Sequence, residues 1–206
     1  YLAGAYFQCE PWQKFAEIIF RKELPLLVNP DGFLREGSSH YQFLFTRWVL
    51  EILFFVEDNS DDQLKNFLNP YAQDLLQKCA FFETSLESNN IGFPLFGDIS
   101  PDFPPDWLKY LTKNIIIIDS LTDSIPEYSW NRLWEDKKYP YSLFDIPSSN
   151  QYHTIGVYTF PQTGWHRFNH NKYTLFMHAE PDGIPANVGH HHNDAGHFCL
   201  YHDGIP

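Results

Sequence analysis

The densest run of chemistry-bearing side chains is Gly189-His190-His191-His192-Asn193-Asp194. Extended backbone alternates its side chains, so on a strand His190, His192 and Asp194 would share one face. Two imidazoles at that spacing can meet one metal ion or one anion. Structural metal sites need about four ligands, and this run offers two or three, so a solvated histidine-rich loop explains the spacing equally well. A cupin-type barrel also carries His-x-His on a strand. It would want a glutamate shortly after, where this chain reads Ala195-Gly196-His197.

A second constellation is Asp31-Gly32-Phe33-Leu34-Arg35-Glu36-Gly37-Ser38-Ser39-His40-Tyr41. A turn here delivers a carboxylate, an N-capping serine, a histidine and a tyrosine into one first helical turn. Tyr41 falls on the face expected to point inward, where a tyrosine is ordinarily a core residue. It becomes chemically interesting only if a catalytic group faces it. The cysteines Cys9, Cys79 and Cys199 are far apart and lack metal-ligand spacing. They read as ordinary thiols and leave the redox compartment open.

Composition narrows the function classes. The 206 residues are 43% hydrophobic and 19% charged, enough for a real core and unlike a disordered or fibrous chain. A formal charge of −12 argues against nucleic acid as a partner, which needs a basic footprint. A local positive patch for a polyanionic substrate remains open. The apolar stretch at 48–56 is broken by Glu51 and is too short for a membrane span. Tyr1 begins the chain with no signal-peptide pattern.

Positioning elements follow from periodicity. Up to about residue 138 the pattern is mostly helical. Pro11 opens a helix with apolar positions Trp12, Phe15, Ile18 and Ile19. Asn29-Pro30-Asp31-Gly32 signals a turn. Ser38 caps a second helix, whose Tyr41, Leu44, Phe45, Trp48, Val49, Ile52 and Phe55 keep helical spacing until Asp58-Asn59-Ser60. Asn69-Pro70 reads as the start of a third, running to about Leu86 with Leu75, Leu76, Cys79 and Phe82 inward. Residues 88–105 read as a long loop, Pro105 as a possible helix start, and 115–118 as helix or buried strand.

After Ser148-Ser149-Asn150 the period becomes two, with short aromatic and β-branched runs at 152–160, 165–170, 173–178 and 196–202. Nine of the ten histidines lie at or after His153, which also separates the two halves. Asn169-His170-Asn171-Lys172 suits a hairpin turn, and Asp203-Gly204 is a strong one. The expectation is an α+β chain: a helical region over 1–147 and the opening strands of an antiparallel sheet over 148–206.

Several of these motifs, in this order, resemble the heparinase II/III family of polysaccharide lyases. They are Asp31-Gly32 with Glu36-x-Ser38-x-x-Tyr41, then Phe93-Pro94-Leu95-Phe96-Gly97-Asp98 and Gly164-Trp165-x-Arg167. His190-x-His192-x-Asp194 and Phe198-x-Leu200-Tyr201-x-x-Gly204-x-Pro206 complete the set. The resemblance implies an α/α toroid followed by an antiparallel β-sandwich, here incomplete. It implies β-elimination on uronic-acid-containing polysaccharides, with an acidic polysaccharide as partner and a periplasmic or secreted location. By the same resemblance Tyr41 is the general acid, and in some members also the base, and His190 helps neutralise the uronate carboxylate or removes the proton. His192 is a ligand of a structural zinc, Asp194 supports its loop, and Glu36 and Arg167 are substrate-side or supporting residues. Two other readings stand beside it: a non-catalytic carbohydrate-binding protein of the same fold, and a cupin-like metal enzyme.

Departures from the family pattern matter. The family's upstream asparagine has no match, because Asn29 is too near the tyrosine, so its counterpart is expected before Tyr1. Further zinc ligands, an aspartate and a histidine, are expected after Pro206. His191 stands where many relatives have glycine, and His197 replaces a small residue. Neither falls on a matched catalytic position.

Overall fold

A computed structural model describes residues 1–84, 93–99, 149–179 and 196–206. Helices come first: α1 (Leu2–Tyr6), α2 (Glu10–Leu27), α3 (Ser39–Asp58) and α4 (Asp62–Phe82). A 3-10 turn at Ser149–Tyr152 leads to strands β1 (Gly156–Phe160), β2 (Trp165–His170), β3 (Tyr173–His178) and β4 (His197–His202). This is an α+β arrangement, helices before strands, as the change of period predicts. The possible helix at Pro105, the run 115–118 and the expected boundary at 147/148 lie outside the described residues.

Ser38 caps α3 as expected, its hydroxyl accepting the Tyr41 amide at 3.2 Å. By contrast, α4 starts earlier than Asn69-Pro70. Asp61 caps it by accepting the Leu64 amide at 3.2 Å, and Pro70 lies inside the helix. An interior proline forfeits one hydrogen bond and costs ~3 kcal/mol. Leu64, Leu68, Ala72, Leu75, Leu76 and Cys79 form a buried stripe on both sides of it. Each large apolar side chain so buried returns roughly 1.5–3 kcal/mol, so the stripe wins.

Two predicted apolar faces are placed differently. On α2, Trp12, Phe15 and Ile18 are 54%, 64% and 63% exposed, whereas Leu24 is buried. On α3, Leu44 and Val49 are buried as predicted, but Phe43, Leu50, Leu53 and Val56 are buried as well, together with Thr46 and Arg47. Tyr41, Phe45 and Ile52 are only half-buried, and Trp48 is exposed. Phe43, Leu50, Leu53 and Val56 interrupt the polar side, so the helix is apolar most of the way round. Periodicity alone therefore cannot choose its core face.

The sheet is an antiparallel meander in the order β1-β2-β3-β4. Trp165, Arg167 and Asn169 of β2 are buried beside their β3 partners His178, Phe176 and Thr174. Trp165 joins the layers: it stacks on Phe33 and on His178, and meets Phe82 and Phe96 edge-on. The other face is also apolar, with Val157, Phe198 and Leu200 exposed. Asp203 and Gly204 both have positive φ, and His202 and Ile205 exchange backbone hydrogen bonds across them. That geometry matches the tight hairpin turn the dipeptide predicts.

Candidate active site

The connection from α2 to α3 is a built loop. Val28 and Leu34 form an antiparallel bridge, Asn29 N–H donates to Phe33 O at 2.8 Å, and Arg35 N–H donates to Leu27 O at 2.8 Å. Gly32 turns at φ +88°, and a Cβ there would meet Asp74 Cβ and O at 3.1 Å. Only glycine combines that dihedral with that close approach to α4.

Gln42 fixes the loop from below. Its Oε1 accepts Leu34 N–H at 2.7 Å, while its Nε2 donates to Gly32 O at 3.4 Å and Leu75 O at 3.3 Å. The segment 93–99 holds the start of α3 from the other side. Ser38 Oγ donates to Asp98 O at 2.8 Å, and Ser39 Oγ donates to Pro94 O at 2.5 Å. Two motifs far apart in sequence thus meet at one helix N-terminus.

The result is a cavity of about 220 Å³ lined by Leu27, Leu34, Glu36, Tyr41, Phe45 and Trp48. Glu36 and Tyr41 therefore line the same space, with an apolar and aromatic wall. Behind Tyr41, the His40 ring stands edge-on to the Tyr41 ring at 5.7 Å between centroids. His40 is fully buried, and among the described residues neither ring nitrogen has a hydrogen-bond partner. Burial pushes its pKa below the ordinary histidine value, so the ring is neutral at neutral pH.

Arg167 is not at this cavity. It is fully buried, and its Nη1 donates to the carbonyls of Phe81 at 2.6 Å and Glu83 at 2.8 Å. Its Nε donates to Asn169 Oδ1 at 3.0 Å, and its Nη2 lies 3.2 Å from His153 Nδ1. A guanidinium can only donate, so Nδ1 accepts and the His153 proton sits on Nε2, 3.5 Å from Glu83 Oε2. Burial pulls the Arg167 pKa down to about 10, which leaves it charged at neutral pH. The cation completes the C-terminal carbonyls of α4, where a helix favours positive charge. Its role is to seat the sheet on the helices.

Lys78 makes a related contact between the layers. It is buried with Nζ 4.5 Å from the Phe160 ring centroid and 3.1 Å from Gln77 Oε1. Loss of solvation lowers its pKa, while Asp31 and Asp74 act in the opposite direction. Asp31 also accepts a hydrogen bond from Thr163 Oγ1 at 2.7 Å, tying the loop to the β1–β2 turn.

His190, His192 and Asp194 lie outside the described residues. Among the described residues no group of three or more His, Cys, Asp or Glu side chains could hold a metal ion. Cys9 and Cys79 form no disulfide, and Cys79 is fully buried. Ser39, Gln42 and Trp48 emerge as parts of the site that sequence reasoning did not assign. The available signal was the spacing of Ser39 and Gln42, three positions apart and so on one side of the first turn of α3.

Helices carrying a tyrosine-lined cavity, joined by buried polar contacts to an antiparallel sheet, define an α+β protein. Residues 155–206 match the family described as Heparinase II/III-like, C-terminal. The fold is similar to the crystal structure of heparinase III, with a TM-score of 0.58 and 17% sequence identity over 95% of this chain. The chain spans 30% of the length of that protein. No curated protein matches the chain. Among the described residues no helix is long and apolar enough to cross a membrane.

Proposed function

We propose that the chain is part of a polysaccharide lyase that cleaves uronic-acid-containing glycans by β-elimination. The observation that carries this is Tyr41 lining a cavity at the capped start of α3, beside Glu36. The match of residues 155–206 to the heparinase II/III-like family supports it.

In the proposed reaction the C5–H bond of the uronate breaks and its electron pair becomes the C4=C5 double bond. The C4–O4 bond breaks, and O4 leaves with a proton from the Tyr41 hydroxyl. C5–H is too weakly acidic while the neighbouring carboxylate keeps its full charge, so donors must stabilise the developing enolate. The C5 proton passes to His190 as base, or, where His190 instead neutralises the carboxylate, to Tyr41 acting first as base and then returning that proton to O4. A structural zinc held in part by His192 belongs to the proposal and carries no step. The proposed location is periplasmic or secreted, where such polymers occur.

The test is Tyr41→Phe in the protein at its full natural length, with unsaturated product followed by ultraviolet absorbance. The variant is expected to fold normally and form no product. Activity within a few-fold of wild type would make Tyr41 a packing residue only. Binding of oligosaccharide by the wild type without any product would favour the non-catalytic carbohydrate-binding reading.

A further inference from the structure

A capping serine needs one hydrogen bond, here the one its hydroxyl accepts from the Tyr41 amide. The start of α3 holds more than that cap requires. Residues 93–99 run along its first turns against the helix direction. Phe93 stacks on Phe43 at 4.5 Å between ring centroids, Pro94 and Phe96 bond to Ser39, and Asp98 O accepts from Ser38. In the chain Tyr41 lies between these anchors. Ser38 and Ser39 are 3% and 0% exposed, and the partners of both hydroxyls on this segment are main-chain atoms. Buried main-chain groups must stay paired, so a slip of the segment by one residue would break these bonds together and leave no intermediate register. The other side of the segment meets the sheet. The Phe96 ring centroid is 5.2 Å from Trp165 of β2, 6.4 Å from His178 of β3 and 4.9 Å from His197 of β4.

We propose that the segment 93–99 is a strap that positions Tyr41 for proton transfer, with Ser39 as the positioning residue through which it acts. Neither Ser39 nor any residue of the strap lines the cavity that Tyr41 shares with Glu36. The strap therefore governs where the first turn of α3 sits, and not the wall that a ligand touches. Proton transfer to a departing oxygen works only within hydrogen-bond reach, and a misplacement of about 1 Å costs on the order of a hundredfold in rate. Contact with the cavity wall tolerates such a shift far better. Loss of the strap thus lowers the rate of the chemical step and leaves ground-state binding largely intact. The proposal rests on the lyase reading for the chemistry of Tyr41, but not for its placement.

The experiment compares the wild type with Ser39→Ala and Ser39→Cys in the protein at its full natural length. The thiol fills the same space with a weaker hydrogen-bonding group and serves if the alanine variant does not fold. Turnover per folded molecule is measured on hyaluronan, heparan sulfate and alginate. A 3-fluorotyrosine placed at Tyr41 reports the ring by fluorine NMR. The expected result is a kcat lowered roughly ten- to hundredfold with KM within about threefold of the wild type, and a fluorine signal that broadens or splits. Phe96→Leu keeps both bonds from its main chain to Ser39 and is expected to lower kcat less. A kcat per folded molecule equal to that of the wild type, or a fluorine signal unchanged by either Ser39 variant, overturns the strap. A perturbed signal in a protein whose wild type cleaves none of the three polymers overturns the lyase reading and leaves the strap standing.

Discussion

Ser39 and Phe96 are bonded in both directions: the Ser39 amide donates to the Phe96 carbonyl at 3.1 Å, and the Phe96 amide donates to the Ser39 hydroxyl at 3.0 Å. The same hydroxyl donates to the Pro94 carbonyl. Through this exchange the segment 93–99 splices onto the first turn of α3, the turn that carries Tyr41. Phe96 in turn packs edge-on against Trp165 of β2. One serine and one phenylalanine thus tie the turn that carries Tyr41 to the sheet, beside the joint made by Arg167 and Trp165.

Ser39→Ala tests that splice. It leaves the buried Phe96 amide and Pro94 carbonyl without their partner, at a cost of about 1–3 kcal/mol. The expected outcome is a lower urea midpoint with little change in slope. A loss indistinguishable from zero would mean that the segment is held by Phe96 packing alone.

Arg167→Met probes the joint between helices and sheet. The substitution keeps most of the volume but strips donors from Phe81 O, Glu83 O and Asn169 Oδ1, and leaves Glu83 buried beside a neutral side chain. Removing one partner of such a buried charge cluster costs on the order of 3–5 kcal/mol. Denaturant unfolding should show that loss, and activity should fall only in proportion to the folded fraction. A stable variant with selectively lost turnover would place Arg167 at the substrate instead.

His40 gives a pH signature. Its pKa in the folded chain lies below its unfolded value, so the unfolded chain binds more protons between the two. The stability contributed by neutral His40 is complete above the unfolded pKa of about 6.5 and is lost as pH falls toward the folded value. His40→Leu should flatten that part of the stability profile. Unfolding midpoints measured on both sides of the window, in the wild type and the variant, check the sign and the residue together.

Gly32→Ala tests the loop that forms the cavity wall. The added methyl meets Asp74 and comes within 3.2 Å of Lys78 Cε, in a backbone conformation that disfavours any Cβ. A cost of about 1–2 kcal/mol for the positive φ is expected, before any displacement of α4. Because Gln42 links Gly32 to Leu34, the same variant should also weaken ligand binding at the cavity. Unchanged stability would show that the loop relaxes freely.

Local signals in the sequence determined the order of elements and several of their ends. Ser38 stops one hydrogen bond short of a helix and so caps one, and Asp203-Gly204 accepts the dihedrals of a tight turn. The alternation in Trp165–His170 and Tyr173–His178 placed β2 and β3 at their observed bounds. Those choices depend on each residue's own backbone and on neighbours a few positions away, which is why they are legible. The tertiary structure alone decided which faces are buried and what each charge does. α3 is apolar most of the way round, so only its packing against α4 settled that Phe43 and Leu50 enter the core while Tyr41 and Trp48 face a cavity. Pro70 looks like a helix start until the stripe running from Leu64 to Cys79 outweighs its missing hydrogen bond. Arg167 looks like any arginine on a strand until the end of α4 supplies two carbonyls. Burial and pairing are properties of the partner surface, and a partner distant in sequence leaves no local period to read.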